Sequence, residues 1–70
     1  SNIAEGSGRG SNKEFRRFLA IALGSAYELD TQVQLARDLD LIPQAEARGL
    51  IAEIDELQRM LRRLRRNTST

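Results

Sequence analysis

Two runs of apolar residues at helical spacing, separated by one punctuated turn, leave this chain few folds to choose from. Phe15, Phe18, Leu19, Ala22, Ala26, Leu29, Val33 and Ala36 recur at helical intervals. At about 100° per residue these eight fall within an arc of roughly 100°. Ile21, Leu23, Leu35 and Leu39 lie outside that arc and widen the apolar surface beyond what one neighbouring helix can cover. The spacing therefore predicts a long helix over residues 11–40, roughly 40 Å in length, that packs against at least two others. Gly24, Ser25 and Ala26 form a small patch on it where another helix can approach closely. The second run, Ala47, Leu50, Ile54, Leu57, Leu61 and Leu64 with Ile51 beside it, is a narrower heptad-like stripe. It predicts a helix over residues 43–66, with 67–70 as a polar tail. Between the runs, Asp40-Leu41-Ile42-Pro43 reads as a turn, with Pro43 at the first helical position, where its missing N–H costs nothing. So short a connection makes the helices antiparallel neighbours, an αα-hairpin. The fold class is all-α. Phe15, Phe18, Leu19, Ala22, Leu29, Val33, Leu50, Ile54, Leu57 and Leu61 are its candidate core and interface positions.

The segment ahead of the long helix carries its own signals. Ile3 to Glu5 reads as the last turn of a preceding helix, and Gly6, Gly8 and Gly10 supply positions where a C-cap or tight turn takes positive φ freely. Ser11 and Glu14 have the spacing of a capping box, which starts the next helix at Asn12. The chain opens at Ser1 with no initiator methionine, inside what reads as a helix tail, so the expectation is a fragment, a truncated chain or a processed product.

Seventy residues make one domain at most, and a domain of this size commonly needs disulfides, a metal or a partner for stability. Cysteine and histidine are both absent, which excludes disulfides, the usual zinc sites and every nucleophile system built on those residues. No cofactor or metal is implied. Oligomerisation remains, and a homo-oligomer is the expected partner state. No apolar run approaches the roughly 20 residues of a membrane span, and no signal peptide is visible, so the cytoplasm is the expected compartment.

Ser-Asn-Ile-Ala-Glu-Gly-Ser-Gly-Arg at Ser1–Arg9, followed by Ser-Asn-Lys-Glu-Phe at Ser11–Phe15, resembles the signature of a protein family encoded in intervening sequences of bacterial 23S ribosomal RNA genes. The match extends through Ala22, Gly24, Ser25, Glu28, Leu29, Thr31 and Gln32, and on to the turn before the last helix. The resemblance implies a four-helix bundle of up-down-up-down type, with two further helices upstream of Ser1, and a cyclic assembly such as a pentamer. It implies no settled activity. Pro43 departs from the pattern, standing where a serine or acidic helix start is expected.

Charge supplies the sharpest functional signal. Residues 1–57 carry six basic and ten acidic side chains, a balance of −4, whereas residues 58–70 carry five arginines and no acid, a balance of +5. Arg59, Arg62, Arg63 and Arg66 occupy an arc of roughly 100° away from the leucine stripe, with Arg65 nearer to it. Cations near a helix C-terminus are favoured by its dipole, and Asp55–Arg59 has the stabilising i,i+4 order. Yet capping needs one or two cations, and Arg59–Arg62 and Arg62–Arg66 are like-charge neighbours. The excess points either to a solvated face or to an anionic partner, of which phosphate is the obvious one. With no aromatics interleaved, backbone contact on structured RNA fits better than base stacking.

Other candidates are weaker. Gly6-Ser7-Gly8-Arg9-Gly10 precedes a helix N-terminus but fits neither a dinucleotide fingerprint nor a Walker loop. Arg9 either pairs with Glu5 or Glu14 or reaches outward to a phosphate. Asp30 and Arg37, close in angle two turns apart, read as an interface ion pair. Tyr27, Thr31 and Gln32 flank the apolar face and either bond across a subunit boundary or are solvated. No second carboxylate converges on a pocket, so no residue is a candidate for catalysis and no small-molecule substrate is implied. Two readings follow: a non-enzymatic assembly module that binds structured RNA through Arg59, Arg62, Arg63 and Arg66, with Arg9 as an outlying candidate; or a structural homo-oligomeric scaffold that docks a protein on the face around Ile21, Leu35 and Leu39.

Overall fold

The computed structural model describes the backbone of residues 9–69 and the side chains of residues 12–69. The described residues form two helices joined by a short turn, with no strand among them. Helix α1 (Arg9–Asp38) and helix α2 (Gln44–Asn67) pack against each other as an antiparallel hairpin, 48 × 18 × 14 Å along its principal axes. The readings of Ile3–Glu5, Gly6 and Gly8 lie outside the described residues, as does the Arg9 side chain.

Helix α1 begins at Arg9, three residues before the start that the Ser11–Glu14 spacing predicts. An N-cap residue must sit in non-helical backbone, and here Gly10 and Ser11 are themselves helical, so Ser11 does not occupy an N-cap position. Gly10 weakens the first turn by about 1 kcal/mol relative to alanine but removes no hydrogen bond. The helix therefore continues through it.

At its other end α1 is closed by the backbone. Asp40 takes φ +58°, and around it Asp40 N–H donates to Arg37 O (3.0 Å) while Leu41 N–H donates to Ala36 O (2.8 Å). This is the paired bonding of a Schellman motif, with aspartate in the left-handed position that glycine usually takes. Pro43 (φ −63°, ψ 148°) is the N-cap of α2 rather than its first helical residue. Its carbonyl accepts from Ala47 N–H at 3.0 Å, but no side chain caps the helix.

The core is thin. Leu19, Leu23 and Ala26 of α1 meet Ile54 and Leu61 of α2, with Phe15 and Val33 half-buried against them, and Ala47 is buried nearer the turn. Burying a side chain such as Leu or Ile contributes about 1.5–3 kcal/mol, so a handful of them makes a marginal structure. Gln58 lies in the same seam at 7% exposure, its Nε2 without a hydrogen-bond partner.

The arc that α1 turns to α2 is not the centre of its apolar surface. Leu23, outside the arc of eight, is buried, whereas Phe18 (48% exposed), Leu29 (47%) and Ala22 stay open to solvent. On α2 the same displacement leaves Leu50, Leu57, Met60 and Leu64 exposed. These residues collect on one side of the hairpin, where Leu29, Val33, Leu50, Ile54 and Leu57, with Glu53 among them, line an open and largely apolar groove. By the helical repeat, Phe18, Ala22 and Leu64 extend that side along the molecule. Ile21, Leu35 and Leu39 are exposed on the outer surface of α1, away from α2. Near them, a side chain added at Gly24 would meet no atom within 4 Å, so of the small-residue patch only Ala26 faces α2.

Candidate nucleic-acid interface

The opposite side of the hairpin is built by the same geometry. In the sequence Leu61-Arg62-Arg63-Leu64-Arg65-Arg66, Leu61 enters the core and Leu64 faces the apolar side, so the arginines between them take the remaining arc. Arg62 and Arg66 point to the side away from the leucines, roughly 120–180° around α2 from Leu50 and Leu57. There they meet a residue of the other helix. Arg16, Arg62, Arg65 and Arg66 together line one shallow cleft of about 230 Å³ at the open end of the hairpin.

Two of these guanidinium groups are held in place. Arg16 Nη1 donates to Thr68 O at 2.7 Å and to Arg65 O, so a side chain of α1 satisfies carbonyls at the C-terminus of α2. A cation at that end also meets the negative pole of the helix dipole. Arg62 Nη1 donates to the Tyr27 hydroxyl at 3.0 Å. Thr68 closes the end further, its Oγ1 donating to Leu64 O at 2.7 Å.

The four arginines of the single-helix stripe are thus divided between two environments. Arg62 and Arg66 belong to the cleft. Arg59 pairs with Asp55 at 3.1 Å, and with Arg63 it lines a groove on α2 that also contains Glu53, Glu56, Leu57 and Met60. That groove is mixed in charge, whereas the cleft has no carboxylate in its lining. Arg16 and Arg65 were not candidates on the sequence. Arg16 is hidden from a reading that treats each helix alone, but the antiparallel register around the Leu39–Pro43 turn sets residue 16 opposite residues 65 and 66. The same register brings Tyr27, an aromatic on α1, to the arginines of α2.

The Asp30–Arg37 pair does not form. Arg37 Nε donates to the adjacent Asp38 (3.1 Å), and Asp30 accepts from Gln34 Nε2 (3.0 Å). Two turns separate Asp30 from Arg37, and each finds a partner within its own reach. Thr31 Oγ1 donates to Tyr27 O one turn back (3.1 Å). Among the described residues no cluster of acidic side chains is placed to hold a metal ion, and no helix is long and apolar enough to cross a membrane.

A family model described as 23S rRNA-intervening sequence protein matches residues 1–63. No curated protein and no solved structure matches the chain significantly.

Proposed function

The chain belongs to the 23S rRNA-intervening sequence proteins, and on that premise we propose a non-enzymatic assembly module that binds structured RNA through its arginines. One observation carries the reading: the exposed leucines and the cleft of Arg16, Arg62, Arg65 and Arg66 lie on opposite sides of the hairpin. Among the described residues, Phe18, Leu29, Leu50, Leu57 and Leu64 are exposed along one side, and a contiguous apolar surface of that kind marks an interaction site. Covering the side that carries Phe18, Leu29, Leu50 and Leu57 with two further helices completes a four-helix bundle and leaves the arginine-bearing end outside. Those helices come from upstream in the chain or from a second copy. In a cyclic homo-oligomer the basic ends repeat, and weak phosphate contacts gain by avidity. Such a protein works in the cytoplasm, where its ligand is.

The test is light scattering on a sizing column with and without a structured RNA fragment, paired with binding at two salt concentrations. With four phosphate contacts, affinity falls about 100-fold between 50 and 200 mM salt. Binding vanishes when Arg59, Arg62, Arg63 and Arg66 all become glutamine. Affinity that ignores both changes overturns the reading. It would favour the scaffold that docks a protein on Ile21, Leu35 and Leu39, which the exposure of all three also supports.

A further inference from the structure

We infer that the cleft formed by Arg16, Arg62, Arg65 and Arg66 is a phosphate-binding site built by both helices, and that it rather than the outer face of α2 grips the nucleic-acid backbone. The inference rests on the nucleic-acid reading above and names its site. Four guanidinium groups line this cleft with no carboxylate among them, and no described Asp or Glu pairs with any of the four. Like charges gathered in one concavity repel one another and are stabilised by an anion between them. Capping the α2 dipole accounts for one cation, a task Arg16 performs by donating to Arg65 O and Thr68 O. Three positive charges remain over.

Orientation favours phosphate over a diffuse ion cloud. A guanidinium has five N–H donors in a fixed fork. Arg16 spends Nη1 on carbonyls and Arg62 spends Nη1 on the Tyr27 hydroxyl. Each is thereby anchored with its other donors unspent, and two parallel N–H donors from one arginine match a phosphate oxygen pair. Arg65 and Arg66 donate no hydrogen bond in the described chain and are exposed at the rim, placed to close over a bound group. The cleft, at about 230 Å³, is open to solvent and has no aromatic side chain in its lining for a base to stack on. That fits recognition of a duplex backbone. On the outer face, by contrast, Asp55 engages Arg59, and Glu53 and Glu56 lie beside Arg63. A phosphate there meets carboxylates first.

The deciding experiment is fluorescence anisotropy of a 16-base-pair RNA duplex against the purified chain and four single variants, with circular dichroism to confirm helix content. Arg65→Gln and Arg66→Gln each remove a rim cation that supports no fold contact. Each lowers affinity about 5-fold at low salt and reduces the salt slope by about one. Arg59→Gln and Arg63→Gln change affinity less than about 2-fold, as solvated or paired charges should. In parallel, pyrophosphate added to isotope-labelled protein shifts the Nε–H resonances of Arg16 and Arg62 and leaves those of Arg59 and Arg63 in place. The reverse pattern, with binding lost through Arg59 and Arg63 alone, overturns the cleft but keeps the nucleic-acid reading. Absence of salt-sensitive RNA binding by the unmodified chain overturns both.

Discussion

The two sides of this hairpin share the same backbone and differ in what each still lacks. On one side, Phe18, Leu29, Leu50, Leu57 and Leu64 are exposed apolar surface whose only remedy is another apolar surface. On the other, Arg16, Arg62, Arg65 and Arg66 are charges already in water, two of them tied down by hydrogen bonds to Thr68 O and Tyr27. The first side is a stability problem and the second an opportunity for binding. On the function proposed above, a helix pair that assembles through one surface and binds through another keeps the two apart. The α1–α2 contact is displaced toward Leu23 and Ala26, away from Phe18 and Ala22, which is the arrangement that reading requires.

The largest effect is expected on the apolar side. Leu57→Glu places a second carboxylate, beside Glu53, in the groove lined by Leu29, Val33, Leu50 and Ile54. If another helix covers that groove, desolvating the charge costs several kcal/mol, and assembly weakens by more than about 100-fold, read by sedimentation against concentration. A hairpin whose apolar side stays in water would show almost no change, because Leu57 is already 39% exposed. That outcome would erase the distinction between the sides.

The seam between them supplies the next test. Gln58 is buried with Nε2 unpartnered, and leaving a buried donor unsatisfied costs about 1–3 kcal/mol. Gln58→Leu should raise stability by that order in chemical denaturation while leaving RNA affinity unaltered. A loss of defined oligomer size in the same variant would mean that Gln58 finds its acceptor only in the assembly and specifies its register there.

How much of this was legible before the structure depends on which question is asked. The two helices and their antiparallel pairing follow from apolar spacing around one turn, because a 3.6-residue period has no other use. The contact face was not legible. α1 has apolar residues around most of its circumference, so nothing in its own pattern separates Leu19 and Leu23, which α2 buries, from Phe18 and Leu29, which it leaves open. The helix start was misleading for a related reason: a capping box between Ser11 and Glu14 is a local preference, and α1 runs on through it to Arg9. The site was half legible. Arg62 and Arg66 stood out as excess charge, but Arg16 and Tyr27 join them only through the register of two helices, which no single-helix projection contains.

A smaller effect isolates hairpin stability from both sides. Asp40 holds the left-handed position that ends α1, where a non-glycine residue costs about 1–2 kcal/mol. Asp40→Gly relieves that cost but regains some entropy in the unfolded chain, for a net gain of about 1 kcal/mol in thermal or chemical unfolding. Because residue 40 touches neither the groove nor the cleft, oligomer size and RNA affinity should stay as they were. A change in either would show that the sides respond to hairpin rigidity and are not independent.

The smallest effect marks where the apolar side ends. Gly24 sits on the outer surface of α1, where an added methyl group would meet no atom within 4 Å. In the hairpin alone, Gly24→Ala therefore stabilises α1 by about 0.5–1 kcal/mol through helix propensity. The sign is the informative part. Ile21, Leu35 and Leu39 are exposed near the same surface, and a helix packed closely over them would pass near the backbone at Gly24. Alanine there would then hold the helix off, and assembly would weaken even as the isolated hairpin gained helix content. A gain in both properties instead confines the assembly contact to the groove between Leu29 and Leu57, and leaves the outer surface of α1 to water or to a different protein.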